Sequence, residues 1–185
     1  MLKTRIRKWC LLLLLLGCCM GVQAQYSMGN TGLLNIPTAD MQKAGTFMGG
    51  GNYLPNGMTP FNFNTGNYFV NITFLSFLEL SYRCTLLKTT RYDGKKGYFQ
   101  QDRSLSARIR PIEEGKYHPA IVIGTNDPFK DTGTNYFATI YGVLTKGFSI
   151  AKGDRLALTA GYYLPLNKHS IQDGPFGGIS YSPAF

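Results

Sequence analysis

Leu78-Glu-Leu-Ser-Tyr-Arg-Cys-Thr-Leu86 alternates without a break: Leu78, Leu80, Tyr82, Cys84 and Leu86 fall on one side, Glu79, Ser81, Arg83 and Thr85 on the other. Period two with one apolar side is the pattern of an extended strand, whose successive side chains point to opposite faces. The stretch before it repeats the pattern. In Gly66–Leu75, Tyr68, Val70, Ile72 and Phe74 oppose Asn67, Asn71 and Thr73, and only Ser76-Phe77 separates the two runs. Two strands joined by so short a link form an antiparallel hairpin.

Working outward, Ser104–Arg110 sets Leu105, Ala107 and Ile109 against Ser104, Ser106, Arg108 and Arg110. Arg155–Leu164 sets Leu156, Leu158, Ala160, Tyr162 and Leu164 against Arg155, Ala157, Thr159 and Gly161. Thr46–Leu54, Pro119–Thr125, Tyr136–Phe148 and Phe176–Ser182 complete a set of about eight strands. Pro119–Thr125 is apolar on both sides and Tyr136–Phe148 is mixed, so the pattern does not orient them. The links alternate in length: 55–65, 87–103, 126–135 and 165–175 are long, while 76–77, 111–118 and 149–154 are shorter. Short turns at one end and long polar loops at the other mark an up-and-down outer-membrane barrel. Tyrosines near strand ends (Tyr53, Tyr68, Tyr136, Tyr162, Tyr163 and Tyr181) suit an interfacial aromatic girdle. A soluble β-sandwich or lipocalin-like barrel shares the period-two pattern but carries a more heavily charged outer face.

Composition agrees. Charged residues make up 16% of the 185, below the roughly 25% of ordinary soluble domains. Four of the 19 basic residues, Lys3, Arg5, Arg7 and Lys8, precede Leu11–Leu16, and small residues end in Val22-Gln23-Ala24. Residues 1–24 thus read as a signal peptide cleaved before Gln25. A lipoprotein reading with Cys18 acylated is disfavoured by the bulk of Leu16. The remaining chain has 15 basic residues against 10 acidic and keeps only Cys84, so no internal disulfide forms. Its basic residues are scattered or confined to one loop, not set in the stripe that nucleic acid requires.

Between leader and first strand, residues 25–44 form an entry segment. Thr38 is placed to cap a short helical turn through Ala44 that Gly45 stops; the barrel domain follows over 45–185.

The string Gly32, Leu33, Leu34, Pro37, Thr38, Ala39, Met41 and Gly45 resembles the opening of the YjbH-like family of outer-membrane β-barrel proteins linked to exopolysaccharide production. Leu78-Glu-Leu-Ser-Tyr-Arg, Ile112-Glu-Glu-Gly-Lys-Tyr-His-Pro-Ala and Phe176-Gly-Gly-Ile-Ser-Tyr extend the resemblance over nearly all of the chain after residue 25. It implies an outer-membrane location and a non-enzymatic role in exopolysaccharide or capsule biosynthesis, export or assembly. The expected partners are outer-membrane lipid, an anionic exopolysaccharide and polysaccharide-export proteins. The family is longer, and Gly177–Tyr181 reads as an internal strand, so a C-terminally truncated barrel is expected. The rival class is a soluble periplasmic or surface barrel or sandwich that binds a glycan.

Chemistry is sparse. His169, Ser170 and Asp173 hold the ingredients of a nucleophilic triad but share one loop, where no scaffold separates their roles. Glu113 and Glu114 are adjacent in a turn and cannot flank one glycosidic bond. Asn126, Asp127 and Asp131 lack the spacing of a cation loop. No catalytic, cofactor-binding or metal-binding residue is expected. The one constellation is polar and inward in a barrel: Glu79, Arg83, Arg108 and Arg110, on two adjacent strands. It reads either as an internal salt-bridge network or as a basic lining for an anionic glycan, extended by Lys88, Arg91, Lys95, Lys96 and Arg103 of the 87–103 link. As lumen residues these should tolerate polar replacement, so that Arg108→Ser still assembles.

Overall fold

The computed structural model describes residues 26–55, 64–90, 96–129, 136–150 and 153–184, without the side chains of 87–90 and 96–101. The Arg91 and Lys95 positions, and the leader, lie outside the described residues. Eight strands follow in chain order: β1 Thr46–Leu54, β2 Thr65–Leu75, β3 Leu78–Thr90, β4 Lys96–Ile112, β5 Ala120–Asn126, β6 Thr139–Ser149, β7 Arg155–Pro165 and β8 Gly174–Ser182. Each pairs antiparallel with its chain neighbour, and the sheet order is β1 through β8. β1 and β8 are its two edges, so the sheet is an open half-barrel.

Register follows the alternation. Across β2 and β3 the outward pairs are Tyr68 with Cys84, Val70 with Tyr82 and Ile72 with Leu80; the inward pairs are Asn71 with Ser81 and Thr73 with Glu79. Apolar residues directly opposite one another on a face stabilise the pairing. β4 continues the rows, with Arg108 opposite Glu79 and Ser104 opposite Arg83. Between β4 and β5 the register slips from Ile109 to Ile112. Pro111, which has no N–H for the ladder, falls in that irregularity.

The β3–β4 hairpin is longer than the pattern predicts. Its ladder runs from Thr85 opposite Asp102 out to Thr90 opposite Lys96, leaving 91–95 as the connection in place of 87–103. Residues 87–90 and 96–103 are not apolar on one face, so periodicity is silent there while backbone pairing continues. The two unoriented strands also resolve. Ala120, Val122, Tyr141 and Val143 are buried on the concave side, and Ile123, Ile140 and Leu144 stand exposed on the convex side.

Residues 26–42 cross the concave face and fill it. Ala39 packs with Ala120, Val122, Tyr141, Val143 and Tyr163, with Met41 and Phe176 against the cluster. The helical turn expected from Thr38 to Ala44 does not form: residues 38–43 are irregular. Arg108 takes the carbonyls of Thr38 and Asp40, which a helix would need for its own ladder. Two glycines make this close approach feasible. Gly29 has φ of 93°, and a Cβ there would stand 2.7 Å from the Phe69 Cβ. A Cβ on Gly32 would meet the Ile36 carbonyl oxygen at 2.6 Å, where the segment folds back to bridge Gly32 and Pro37.

A covered polar trough as the candidate functional site

Glu79 and Arg108 face each other across β3 and β4, both side chains fully buried, with Arg108 Nε 3.5 Å from Glu79 Oε1. Three further donors converge on the carboxylate. The Thr31 N–H and the Asn71 amide each donate to Glu79 Oε1 at 2.8 Å, and the Thr31 hydroxyl donates to Oε2 at 2.9 Å. The Arg108 guanidinium in turn donates to the carbonyls of Thr31 (2.8 Å), Thr38 (3.1 Å) and Asp40. A buried pair adds little over well-packed apolar residues, yet removing one partner costs about 3–5 kcal/mol because it strands the other charge. Here the pair is a clamp on the entry segment. Asn71 adds a bond to the Gly29 carbonyl at 2.9 Å, and the Ser81 hydroxyl meets Asn30 Oδ1 at 2.6 Å.

Arg83 is held differently. Its Nη1 donates to the Met28 thioether at 3.2 Å, its Nη2 lies 3.4 Å from Asp102 Oδ2, and its guanidinium stands 4.2 Å from the Phe137 ring centroid. Arg110 lies at the rim, donating to the Ser76 carbonyl at 2.9 Å and to the exposed Glu113 at 3.1 Å. The structure therefore joins Glu79 to Arg108 and leaves Arg83 and Arg110 in separate surroundings. The salt-bridge reading holds for the first pair. Tolerance of Arg108→Ser is revised, because that change leaves Glu79 buried without its cation.

Sequence reading missed the partner of this face, because nothing in a period-two pattern says that the chain's own start will cover it. It also missed a latch. Arg155 Nη2 on β7 bridges Asp40 of the entry segment at 3.0 Å and Glu114 of the β4–β5 turn at 2.9 Å. Glu114, placed by the sequence in a turn, accepts a further bond from the Gly147 N–H at 2.6 Å and lies 3.3 Å from Lys146 Nζ. Partial burial would raise its carboxyl, but the Gly147 N–H and the cations of Arg155 and Lys146 prevail and hold it below the ordinary carboxylate value. Tyr163, assigned to the aromatic girdle, points inward and shares a 3.1 Å hydrogen bond with Tyr26, whereas Tyr53, Tyr68, Tyr162 and Tyr181 are exposed.

The nucleophilic ingredients are not assembled. The Ser170 hydroxyl donates to the Gln172 carbonyl at 3.5 Å, and the His169 N–H to Asn167 Oδ1 at 2.8 Å. Among the described residues no group of three His, Cys, Asp or Glu side chains is placed to hold a metal ion. The trough holds amide, hydroxyl, guanidinium and carboxylate groups, several of them engaged by the entry segment.

No curated protein and no solved structure matches the chain. A family model described as exopolysaccharide biosynthesis protein YbjH matches residues 24–166, a span that holds the entry segment, β1 to β7 and both halves of the Glu79–Arg108 clamp. The chain belongs to the YjbH family of exopolysaccharide biosynthesis proteins.

Proposed function

We propose that the chain is an outer-membrane protein, exported by its leader, that crosses the bilayer with its strands and serves exopolysaccharide export or assembly without catalysing a reaction. One observation carries this reading: the sheet is apolar outside and keeps its buried charge inside. Phe74, Tyr82, Ile109, Leu164 and Ile179 are exposed on the convex face, whereas Glu79, Arg83 and Arg108 are almost fully buried on the concave one. A water-soluble barrel places its charge the other way. In a bilayer the same arrangement is favourable, since a cation on the lipid side at mid-depth costs about 2–4 kcal/mol. The partners of this reading are membrane lipid, an anionic polysaccharide and other export proteins.

The test is envelope fractionation with a nitroxide at position 109. The protein should sediment with outer membrane, need detergent for release and migrate differently on a gel before and after heating. The nitroxide should be reached by oxygen dissolved in lipid and shielded from a water-soluble relaxer. A soluble periplasmic product, or protection of position 109 from both relaxers, overturns the reading in favour of a soluble glycan binder.

A further inference from the structure

The two buried arginines of the trough are not equivalent. Arg108 has a carboxylate beside it and donates to three carbonyls, whereas Arg83, 1% exposed, has among the described residues only a thioether, a long contact to Asp102 and a ring. A thioether is a weak acceptor, and a buried cation needs strong ones. Around Arg83, polar atoms are stranded together. Among the described residues, Arg83 Nε, Thr85 Oγ1, Ser104 Oγ, Ser106 Oγ and Asn67 Oδ1 are all buried without a hydrogen-bond partner. The register makes them one patch: Asn67 lies opposite Thr85, Arg83 opposite Ser104, and Ser81 opposite Ser106. Buried polar atoms in a native fold are otherwise almost always paired, so a contiguous group of unpaired ones marks a place where water or a polar ligand binds.

We propose that this patch is a binding subsite for a carboxylate-bearing sugar, with the Met28 side chain occupying the carboxylate's place until the sugar displaces it. Arg83 supplies the charge-assisted donors, for which a planar carboxylate is the matching acceptor. Ser104, Ser106 and Thr85 supply hydroxyls that both donate and accept, as ring hydroxyls require. Phe137, already stacked on the guanidinium, supplies an apolar ring surface. Met28 is suited to yield because its unbranched side chain has three rotatable bonds. The Glu79–Arg108 clamp keeps the rest of the entry segment in place meanwhile. The inference rests on the exopolysaccharide reading and names the class of sugar that reading leaves open.

The test uses the full chain in detergent with tetragalacturonate as probe, its methyl ester as the uncharged control, and calorimetry as readout. The acid should bind at least tenfold more tightly than the ester. Arg83→Gln should remove that preference, and Met28→Ala should tighten acid binding several-fold, an outcome that a purely structural Met28 does not produce. Should Arg83→Gln fail to fold, Ser104→Ala takes its place, with an expected loss of about fivefold. Equal binding of acid and ester, or no binding by either the native chain or Met28→Ala, overturns the subsite. Loss of surface polymer on deleting the protein reports separately on the exopolysaccharide role, so the subsite can fail while that role stands.

Discussion

Arg108 and Ile109 are neighbours on β4 with opposite surroundings, and they define what single residues do here. Arg108 is clamped to Glu79 and to three carbonyls inside the sheet; Ile109 is about half exposed on the convex face. Arg108→Ser should cost about 3–5 kcal/mol by stranding Glu79, and Ile109→Arg about 2–4 kcal/mol through lipid exposure. Both are large against a stability of about 5–15 kcal/mol. The pair is separated from generic fragility by a double-mutant cycle in denaturant unfolding. With Glu79 already replaced by Gln, Arg108→Ser should cost at least 1 kcal/mol less than it does alone. Strict additivity would mean that the two groups do not stabilise one another.

At the scale of elements, the entry segment is pinned at its far end by the Asp40–Arg155–Glu114 latch. Glu114 has a folded pKa below its ordinary value of 4.5. Its contribution is therefore complete above the unfolded value and is lost as pH falls through the depressed folded one. Proteolysis within residues 26–42 should accelerate only below about pH 4.5, where that window opens. Glu114→Gln should already be as susceptible at neutral pH as the native chain becomes in acid, and lose the acid-side step attributable to this group. A step of unchanged size in Glu114→Gln would assign it to other carboxylates. The links give a second test, since 91–95 joins β3 to β4 at one end of the sheet and 150–154 joins β6 to β7 at the other. Epitope tags at Gly94 and Gly153 should differ on intact cells, with only Gly94 labelled. Equal labelling would refute the orientation.

For the whole molecule, the concave side has two halves, one polar around Glu79, Arg83 and Arg108, the other apolar around Val122, Tyr141 and Val143. Residues 26–42 cover both, and without them the charged half meets water while the apolar half loses Ala39 and Met41. Replacing 27–41 by a Gly-Ser linker of equal length should leave strand content in circular dichroism unchanged. The unfolding temperature should nevertheless fall by roughly 10 °C, since each kcal/mol is worth about 2–4 °C in a chain of this size. An unchanged midpoint would show that the segment merely rests on the sheet.

The alternation in Leu78–Leu86 and its neighbours was sufficient to locate the strands and their sequential pairing, and to give the faces of those with one apolar side, because side-chain direction in an extended chain depends on position alone. The outer β3–β4 ladder and the faces of β5 and β6 were not legible. The alternation also placed Glu79 and Arg108 on one polar side. What covers that side was decided only in three dimensions. The bonds from Thr31, Thr38 and Asp40 to Glu79 and Arg108 span 48 to 77 residues, and no local pattern encodes contacts at such separation. The same distance explains the missing helix after Thr38. The residues after Thr38 are good helix formers but too few to sustain a helix alone, and they yield to a buried guanidinium that needs the Thr38 and Asp40 carbonyls. The difference between Arg108 and Arg83 arises in the same way: each is an arginine in an alternating strand, and only the entry segment's path supplies carbonyls to one and a thioether to the other.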